Sequence, residues 1–134
     1  MFINPTLLFA KIVISLFIGV LFTQSGFDKI LDFKGNTEYI KSVFEKTFLK
    51  NLYLPLLIIM AILETTTGIF CLAGAWFLYS NSNPVFSLLG LELAAIATVS
   101  LFAGQRIAKD YAGAASLVSY FILLIIGLFL FSLK

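Results

Sequence analysis

The sequence predicts an all-α membrane protein, a four-helix bundle with a short amphipathic interfacial helix between spans one and two. Of its 134 residues, 60% are hydrophobic and 12% are charged, and the mean hydropathy is +1.04. A soluble domain has about a quarter charged residues, so this chain has too little polar surface to cover a water-soluble globule. The apolar residues fall in long blocks without the alternation typical of strands, which favours membrane-spanning helices.

Four apolar blocks are long enough to cross a bilayer, and they belong to a single integral membrane domain over residues 1–134. The blocks cover about residues 6–27, 52–79, 84–103 and 111–133. Each has the roughly 20 residues that a helix needs to cross about 30 Å of hydrocarbon. The first block has no basic residue before it and is longer than the core of a signal peptide, so we interpret it as a span.

The connections between the blocks differ in length and character. Residues 28–51 carry apolar side chains at helical spacing, which predicts an amphipathic helix starting near Asn36 or Thr37. Those apolar side chains belong to Ile40, Val43, Phe44 and Phe48. This helix lies either on the membrane surface or, as an ordinary loop helix, against the bundle. Residues 80–84 form a short polar turn, and Asp110 is placed to cap the fourth helix.

Aromatic and charged residues mark the ends of the spans. We expect these residues to be interface anchors, and they are Tyr53, Trp76, Tyr79, Arg106, Asp110 and Tyr111. Most lysines and arginines belong to the first and third links, whereas Lys11 and Lys134 belong to the opposite side. The positive-inside rule therefore predicts that both links are cytoplasmic and that both termini lie on the outer side.

The composition excludes several classes of function. A net charge of +2, with no basic patch interleaved with aromatics, argues against nucleic acid as a partner. The chain has no histidine, which excludes haem and zinc sites built on that residue, and we expect no metal. The single Cys71 cannot form an internal disulfide or a redox pair. We therefore expect no intrinsic cofactor and no catalysis by the chain alone, with a quinone or lipid as the candidate ligand.

Two carboxyl groups inside the apolar blocks are the strongest candidates for a site. Glu64 lies near the middle of the second block and Glu92 near the middle of the third. A charge at the centre of a bilayer costs about 3 kcal/mol on insertion scales, so by default it faces the protein interior. Lys11 lies on a small and polar stripe of the first block, so it either pairs with one of these carboxyls or snorkels to the interface.

Three roles for Glu64 and Glu92 stay open. They are protonated groups that tie helices together by hydrogen bonds, groups that bind a ligand or handle protons, or contacts to another subunit. The third helix adds a track of small residues, Gly90, Ala94 and Thr98, nearly opposite Glu92 around the helix. If Glu92 faces inward, the track could dock a foreign helix. If the track faces inward, Glu92 points toward a partner.

Three stretches of the sequence carry a family resemblance. The first is Phe22-Thr-Gln-Ser-Gly-Phe-Asp-Lys-Ile30, and the second is Glu64-Thr-Thr-Thr-Gly68 followed by Gly74. The third combines Gly104-Gln-Arg106, Asp110-Tyr111, Gly113-Ala-Ala115 and Tyr120-Phe121. Together with the length and the four spans, they resemble the DoxX-like family of small bacterial and archaeal membrane proteins.

The resemblance implies a bundle associated with membrane oxidoreductase systems in the bacterial cytoplasmic (inner) membrane. Some members of that family are subunits of quinone-linked or terminal quinol oxidase complexes. Gln24, Gly26, Lys29 and Glu64 match the most typical family positions, which implies that they are site residues. The cysteine pairs of the redox-associated branches have no counterpart here, which argues against thiol–disulfide catalysis.

Three functions follow as competing hypotheses. The first is an auxiliary or structural subunit of a respiratory or quinone-linked membrane complex, whose partners are lipid and either other membrane subunits or further copies. The second is a quinone- or lipid-binding oxidoreductase component that uses buried carboxylates. The third is a small transporter or proton pathway, which four spans without an inverted repeat make a poor candidate.

Overall fold

A computed structural model describes residues 4–133, and it confirms the all-α prediction. Within those residues there is no β-strand, and six helices follow one another along the chain. The helices are α1 (Pro5–Leu31), α2 (Phe33–Phe44), α3 (Tyr53–Asn81), α4 (Val85–Ile107), α5 (Tyr111–Ser116) and α6 (Val118–Phe131). Lys134, one of the two basic residues expected on the outer side, lies outside the described residues.

Four helical segments are long and apolar enough to cross a membrane. They are α1, α3, α4 and the combined segment Tyr111–Ser132, with mean hydropathies of 2.3, 2.1, 2.0 and 2.5. Large apolar side chains such as Phe9, Ile62 and Phe129 are exposed on the outer surface of these helices. Lipid solvates such a surface whereas water does not, so the chain is a multi-pass membrane protein.

The spanning helices pack side by side as an antiparallel bundle. α3 packs against both α1 and α4, α4 packs against α6, and contacts of α1 with α4 and α6 close the arrangement. A cluster of buried side chains fills the centre, namely Ile14, Ile18, Phe22, Cys71, Leu91, Ala94, Ala97 and Leu124. Small residues predominate on α4 in this cluster, because they let neighbouring backbones approach closely.

The start of α2, at the corner with α1, differs from its predicted position. α1 continues past the apolar block to Leu31, and Asp32 then leaves the helical conformation. The Asp32 carboxylate accepts a hydrogen bond from the Gly35 backbone N–H at 3.3 Å, so α2 begins at Phe33. The predicted start near Asn36 or Thr37 is therefore wrong by one turn, because Asp32 supplies an N-cap earlier in the chain.

The inner face of α2 ends at Phe44, which is buried and lies against Gly104 at the end of α4. Ile40 and Val43 are half-buried on the same face, as their spacing predicts. Phe48 follows the end of the helix and is 77% exposed, so it does not continue this face. Because Phe44 and Gly104 are neighbours, the first and third links lie at the same end of the bundle.

The turn between α3 and α4 has the polar residues that the sequence predicts there. Ser82 adopts a left-handed conformation with φ of 54°, and the Asn83 N–H donates to the Phe77 carbonyl at 3.1 Å. This pattern ends a helix by satisfying its last carbonyl groups. Pro84 then precedes the first residue of α4, and α3 and α4 form a tight antiparallel hairpin.

The fourth span is broken at Leu117, where a continuous helix was expected. The predicted cap is present, since the Asp110 carboxylate accepts from the Gly113 N–H at 2.9 Å. α5 ends after six residues in a tighter turn, in which the Leu117 N–H donates to the Ala114 carbonyl three residues earlier. Ser116 Oγ donates to the Gly113 carbonyl at 2.6 Å, and such side-chain bonds compete with regular helix.

Candidate functional site

A buried ion pair joins α1 to α3. The Lys29 ammonium lies 2.8 Å from Glu64 Oε2, and the Ser25 hydroxyl donates to the same oxygen at 2.8 Å. Lys29 also donates to Ser25 Oγ at 3.0 Å, which closes a three-membered network. Glu64 is completely buried, whereas the Lys29 side chain is 16% exposed. The charge of the carboxylate is thus compensated inside the bundle.

Helical geometry explains why these three side chains meet. Ser25 and Lys29 are one turn apart on α1, so both face α3. Glu64 projects from the facing side of α3 at the same level. Among the described residues, Glu64 Oε1 has no hydrogen-bond partner although it is buried. The network is neutral overall but leaves one acceptor unused.

The helices come unusually close beside this network. A side-chain carbon added at Gly26 would meet Thr65, and one added at Gly68 would meet Thr23. Each helix therefore presents a Thr-x-x-Gly pair, and each threonine lies on the glycine of the other helix in antiparallel register. The hydroxyl oxygens of both threonines are buried without a hydrogen-bond partner in residues 4–133.

Lys11 does not take part in this network. Its ammonium donates to the Leu133 carbonyl at 3.2 Å and lies over the Phe131 ring, 5.3 Å from the centroid. Of the two alternatives for Lys11, the pairing with Glu64 or Glu92 is therefore wrong. Lys29 takes that role, because α1 extends beyond the apolar block and brings this lysine to the level of Glu64.

Gln24 and Glu92 also lie away from the network. Gln24 precedes Ser25 on α1 and faces outward, where its side chain is exposed. Glu92 is exposed on the outer surface of α4, so the default expectation that it faces the interior is wrong. Of the predicted candidate site, the structure brings together Glu64, Lys29 and the neighbouring Gly26.

The sequence left open whether the small-residue track of α4 or Glu92 faces the interior, and the structure places the track inside. Gly90, Ala94 and Thr98 are buried, and a side-chain carbon added at Gly90 would sit 2.6 Å from Cys71 Sγ and 2.9 Å from its backbone nitrogen. The track therefore lies on the inner side of α4, with Gly90 against α3, and Glu92 points away from the bundle. The Ser15 and Ser87 hydroxyls, hydrogen-bonded at 2.8 Å, add a buried contact between α1 and α4.

Ser25, Thr23 and Thr65 are site residues that sequence reasoning missed. The sequence holds a signal for the two threonines, because Thr23 and Gly26 have the same spacing as Thr65 and Gly68. Small residues three or four positions apart are typical of close helix packing in membranes. The repeat does not by itself indicate which helices pair, and the ladder from Gly26–Thr65 through Thr23–Gly68 to Gly19–Leu72 shows that they are α1 and α3.

The residues expected to anchor the spans lie near the helix ends. Trp76 and Tyr79 are exposed near the end of α3, with ring centroids 6.1 Å apart. At the opposite end, the Arg106 guanidinium stacks over the Tyr111 ring, 4.5 Å from its centroid, and Tyr53 is the first residue of α3. Asp110 serves as the cap of α5.

An apolar groove on the surface of the bundle lies away from Glu64, which is not among its lining residues. The groove has a volume of about 290 Å³ and lies between α4 and the α5–α6 break. Its lining residues are Thr98, Val99, Phe102, Leu117, Val118 and Phe121. No group of three or more acidic or cysteine side chains in residues 4–133 is arranged to hold a metal ion.

Comparison with known protein families, with characterised proteins and with solved structures finds no match. Two features stand out from an otherwise apolar bundle. One is the buried Lys29–Ser25–Glu64 network, and the other is the exposed carboxyl of Glu92.

Proposed function

We propose that this protein is a non-catalytic, auxiliary subunit of a membrane complex, and that it contacts neighbouring chains through the outward face of α4. The observation that carries the proposal is the exposure of Glu92. Close contacts of Gly90 with Cys71 and of Ser87 with Gly74 place Glu92 level with Ile69, near the middle of α3. A carboxyl group left in lipid at that depth costs about 3 kcal/mol, which a partner subunit can offset.

The pairing of Glu64 supports the same proposal. Its carboxylate is sealed between α1 and α3 and bonded to Lys29 and Ser25, so it ties two helices together. A group that binds a quinone headgroup needs an opening through which the ligand enters. The closure around Glu64 therefore favours a structural role over the alternative of a ligand-binding oxidoreductase component.

We propose further that the complex is respiratory or quinone-linked and lies in a bacterial cytoplasmic membrane. The DoxX-like motifs support this assignment. The orientation with both termini outside is supported by the first and third links, which share one end of the bundle and hold most lysines and arginines. Under the positive-inside rule that end is cytoplasmic.

Replacing Glu92 by lysine is expected to release the protein from its complex, because a cation then faces the site that accommodates a carboxyl group. Native mass spectrometry after purification in mild detergent measures the change. We expect the wild-type protein to be part of an assembly heavier than its 14.8 kDa chain, and the Glu92→Lys variant to be a monomer.

The matched control is Glu38→Lys, the same substitution at an exposed glutamate of α2. This residue lies outside the spans, so the control should keep the assembly intact. Protection of the buried Cys71 from a maleimide reports that each variant is folded. A wild-type protein that is a clean monomer in mild detergent would contradict the proposed function.

A further inference from the structure

The break in the fourth span leaves a groove on the lipid-facing surface of the bundle. α5 ends and α6 begins around Leu117, and the groove of about 290 Å³ lies between this break and α4. Its walls are one turn of α4, from Thr98 to Phe102, and one turn of the fourth span, from Leu117 to Phe121. The Thr98 hydroxyl donates to the Ala94 carbonyl at 2.8 Å, so the walls present apolar groups only.

The dimensions of the groove favour a lipid chain as its occupant. Four residues of an α-helix rise about 6 Å, so the groove is about one helical turn tall. A helix with its side chains is about 10–12 Å across, and a spanning helix of another protein therefore does not fit inside. A single hydrocarbon chain is narrow enough to enter, and the surrounding bilayer supplies such chains.

A cation lies one helical turn beyond the groove. Arg106 follows Phe102 by four positions on α4, so both side chains are on the same side of the helix. Arg106 is exposed, and its guanidinium stacks over the Tyr111 ring, 4.5 Å from the centroid. Within the described residues no carboxylate is paired with Arg106, and the Asp110 carboxylate caps α5 instead. The guanidinium is thus held in place beside the groove and is available to an anion.

We infer that the groove and Arg106 together bind an acidic phospholipid, with one acyl chain in the groove and the phosphate on the guanidinium. Arg106 lies at the end of α4, where a span meets the headgroup region, and the groove lies about 6–12 Å deeper in the hydrocarbon. A phospholipid has its parts in the same order, with the acyl chains directly below the phosphate. The site is complete within one chain, so it goes beyond the proposed contact with other subunits.

The chemistry of Arg106 supports an acidic headgroup. A guanidinium binds a phosphate through two parallel hydrogen bonds. Basic residues beside gaps between spanning helices are typical of sites for acidic headgroups. One cation near the headgroups contributes about 1 kcal/mol, which corresponds to about a fivefold difference in affinity between an acidic and a neutral lipid.

Native mass spectrometry of lipid adducts tests the site. The probe is dioleoyl phosphatidylglycerol, which is acidic, and the comparator is dioleoyl phosphatidylcholine, which has the same chains and no net charge. Each is titrated into the purified protein in mild detergent at one ionic strength. We expect the first phosphatidylglycerol molecule to bind about fivefold more tightly than the first phosphatidylcholine molecule.

Replacing Arg106 by glutamine is expected to abolish this preference, because the charge that pairs with the phosphate is lost. The matched control is Lys46→Gln, which removes one charge from an exposed residue at the same end of the bundle. Lys46 does not line the apolar groove, so the control should preserve the preference.

Replacing Val99 by tryptophan is expected to weaken phosphatidylglycerol binding at least fivefold, because the larger side chain fills the groove. The matched control is Val85→Trp, the same substitution at a valine of α4 that does not line the groove. Val99 and Val85 are 52% and 53% exposed, so neither substitution crowds the core. Protection of Cys71 from a maleimide reports that both variants are folded.

Several outcomes would overturn the inference. Equal binding of the two lipids, or an equal loss in Arg106→Gln and Lys46→Gln, would show that Arg106 does not select the headgroup. Wild-type binding by Val99→Trp would show that the chain lies elsewhere. Competition by soluble glycerol 3-phosphate would show a simple anion site that needs no chain. A monomeric wild-type protein that still selects phosphatidylglycerol would contradict the proposed function and leave the lipid site intact.

Discussion

Replacing Lys29 by methionine is expected to destabilise the folded protein by about 3–5 kcal/mol, because the substitution leaves the buried Glu64 carboxylate without a counter-charge. Glu64 is completely buried, and Lys29 and Ser25 are its hydrogen-bond donors in the described structure. Methionine preserves most of the lysine's apolar stem, so the loss reports on the charge. Unfolding by sodium dodecyl sulfate in mixed micelles, followed by alkylation of Cys71, measures the stability.

The double variant Lys29→Met/Glu64→Leu distinguishes a missing partner from a packing defect. When both charges are removed, the penalty for a lone buried charge disappears. We therefore expect the double variant to recover most of the stability lost in Lys29→Met. The matched control is Lys41→Met on the exposed face of α2, which should change stability by less than about 0.5 kcal/mol. Equal effects at Lys29 and Lys41 would show that the ion pair contributes nothing.

Replacing Gly68 by alanine is the second substitution with a large expected effect. A methyl group there would sit 2.5 Å from the Thr23 backbone nitrogen and 2.8 Å from its Cα. Backbone atoms cannot rotate aside, so α1 and α3 must separate, which disturbs the adjoining Lys29–Glu64 contact as well. Overpacking typically costs about 1–3 kcal/mol, and we expect a loss at the upper end of that range.

Gly104→Ala is the matched control for this substitution. At Gly104 the same methyl group meets one atom of the Phe44 ring at 3.5 Å, an ordinary van der Waals contact. Both glycines are within helices, so both substitutions change helix propensity alike. We expect the Gly104 variant to unfold at the wild-type detergent concentration or above it, because alanine favours the helix and meets no clash there. Similar stability of the two variants would contradict the close α1–α3 contact.

Much of the bundle was predictable because hydropathy and turn chemistry are local. The four apolar blocks and the Asp110 cap each follow from a few neighbouring residues. The break at Leu117 was not predictable in this way, since the hydropathy of the fourth block is continuous there. It depends on side-chain bonds such as that of Ser116 to the Gly113 carbonyl.

The candidate site could not be predicted in full from local sequence patterns, because it depends on contacts between residues that are far apart in the chain. Glu64 was identified because a carboxyl group inside an apolar block is costly. The sequence leaves Lys11 as a candidate partner or a snorkelling residue and does not indicate that Lys29 is the partner, because the apolar block ends at Phe27 whereas the helix continues past Lys29 to Leu31. Periodicity places Glu92 opposite Gly90 and Ala94 around α4, but the close packing of Gly90 on Cys71 decides which side is inside.

Reaction with a hydrophobic carbodiimide tests most directly whether Glu64 is buried inside the bundle while Glu92 faces outward. The reagent forms a stable adduct with protonated carboxyl groups that it can reach from the micelle interior. In protein diluted into detergent until it is monomeric, mass spectrometry of peptides should find the adduct on Glu92 and none on Glu64. Modification of Glu64 with Glu92 left intact would contradict a structure in which the first is sealed by Lys29 and the second faces outward.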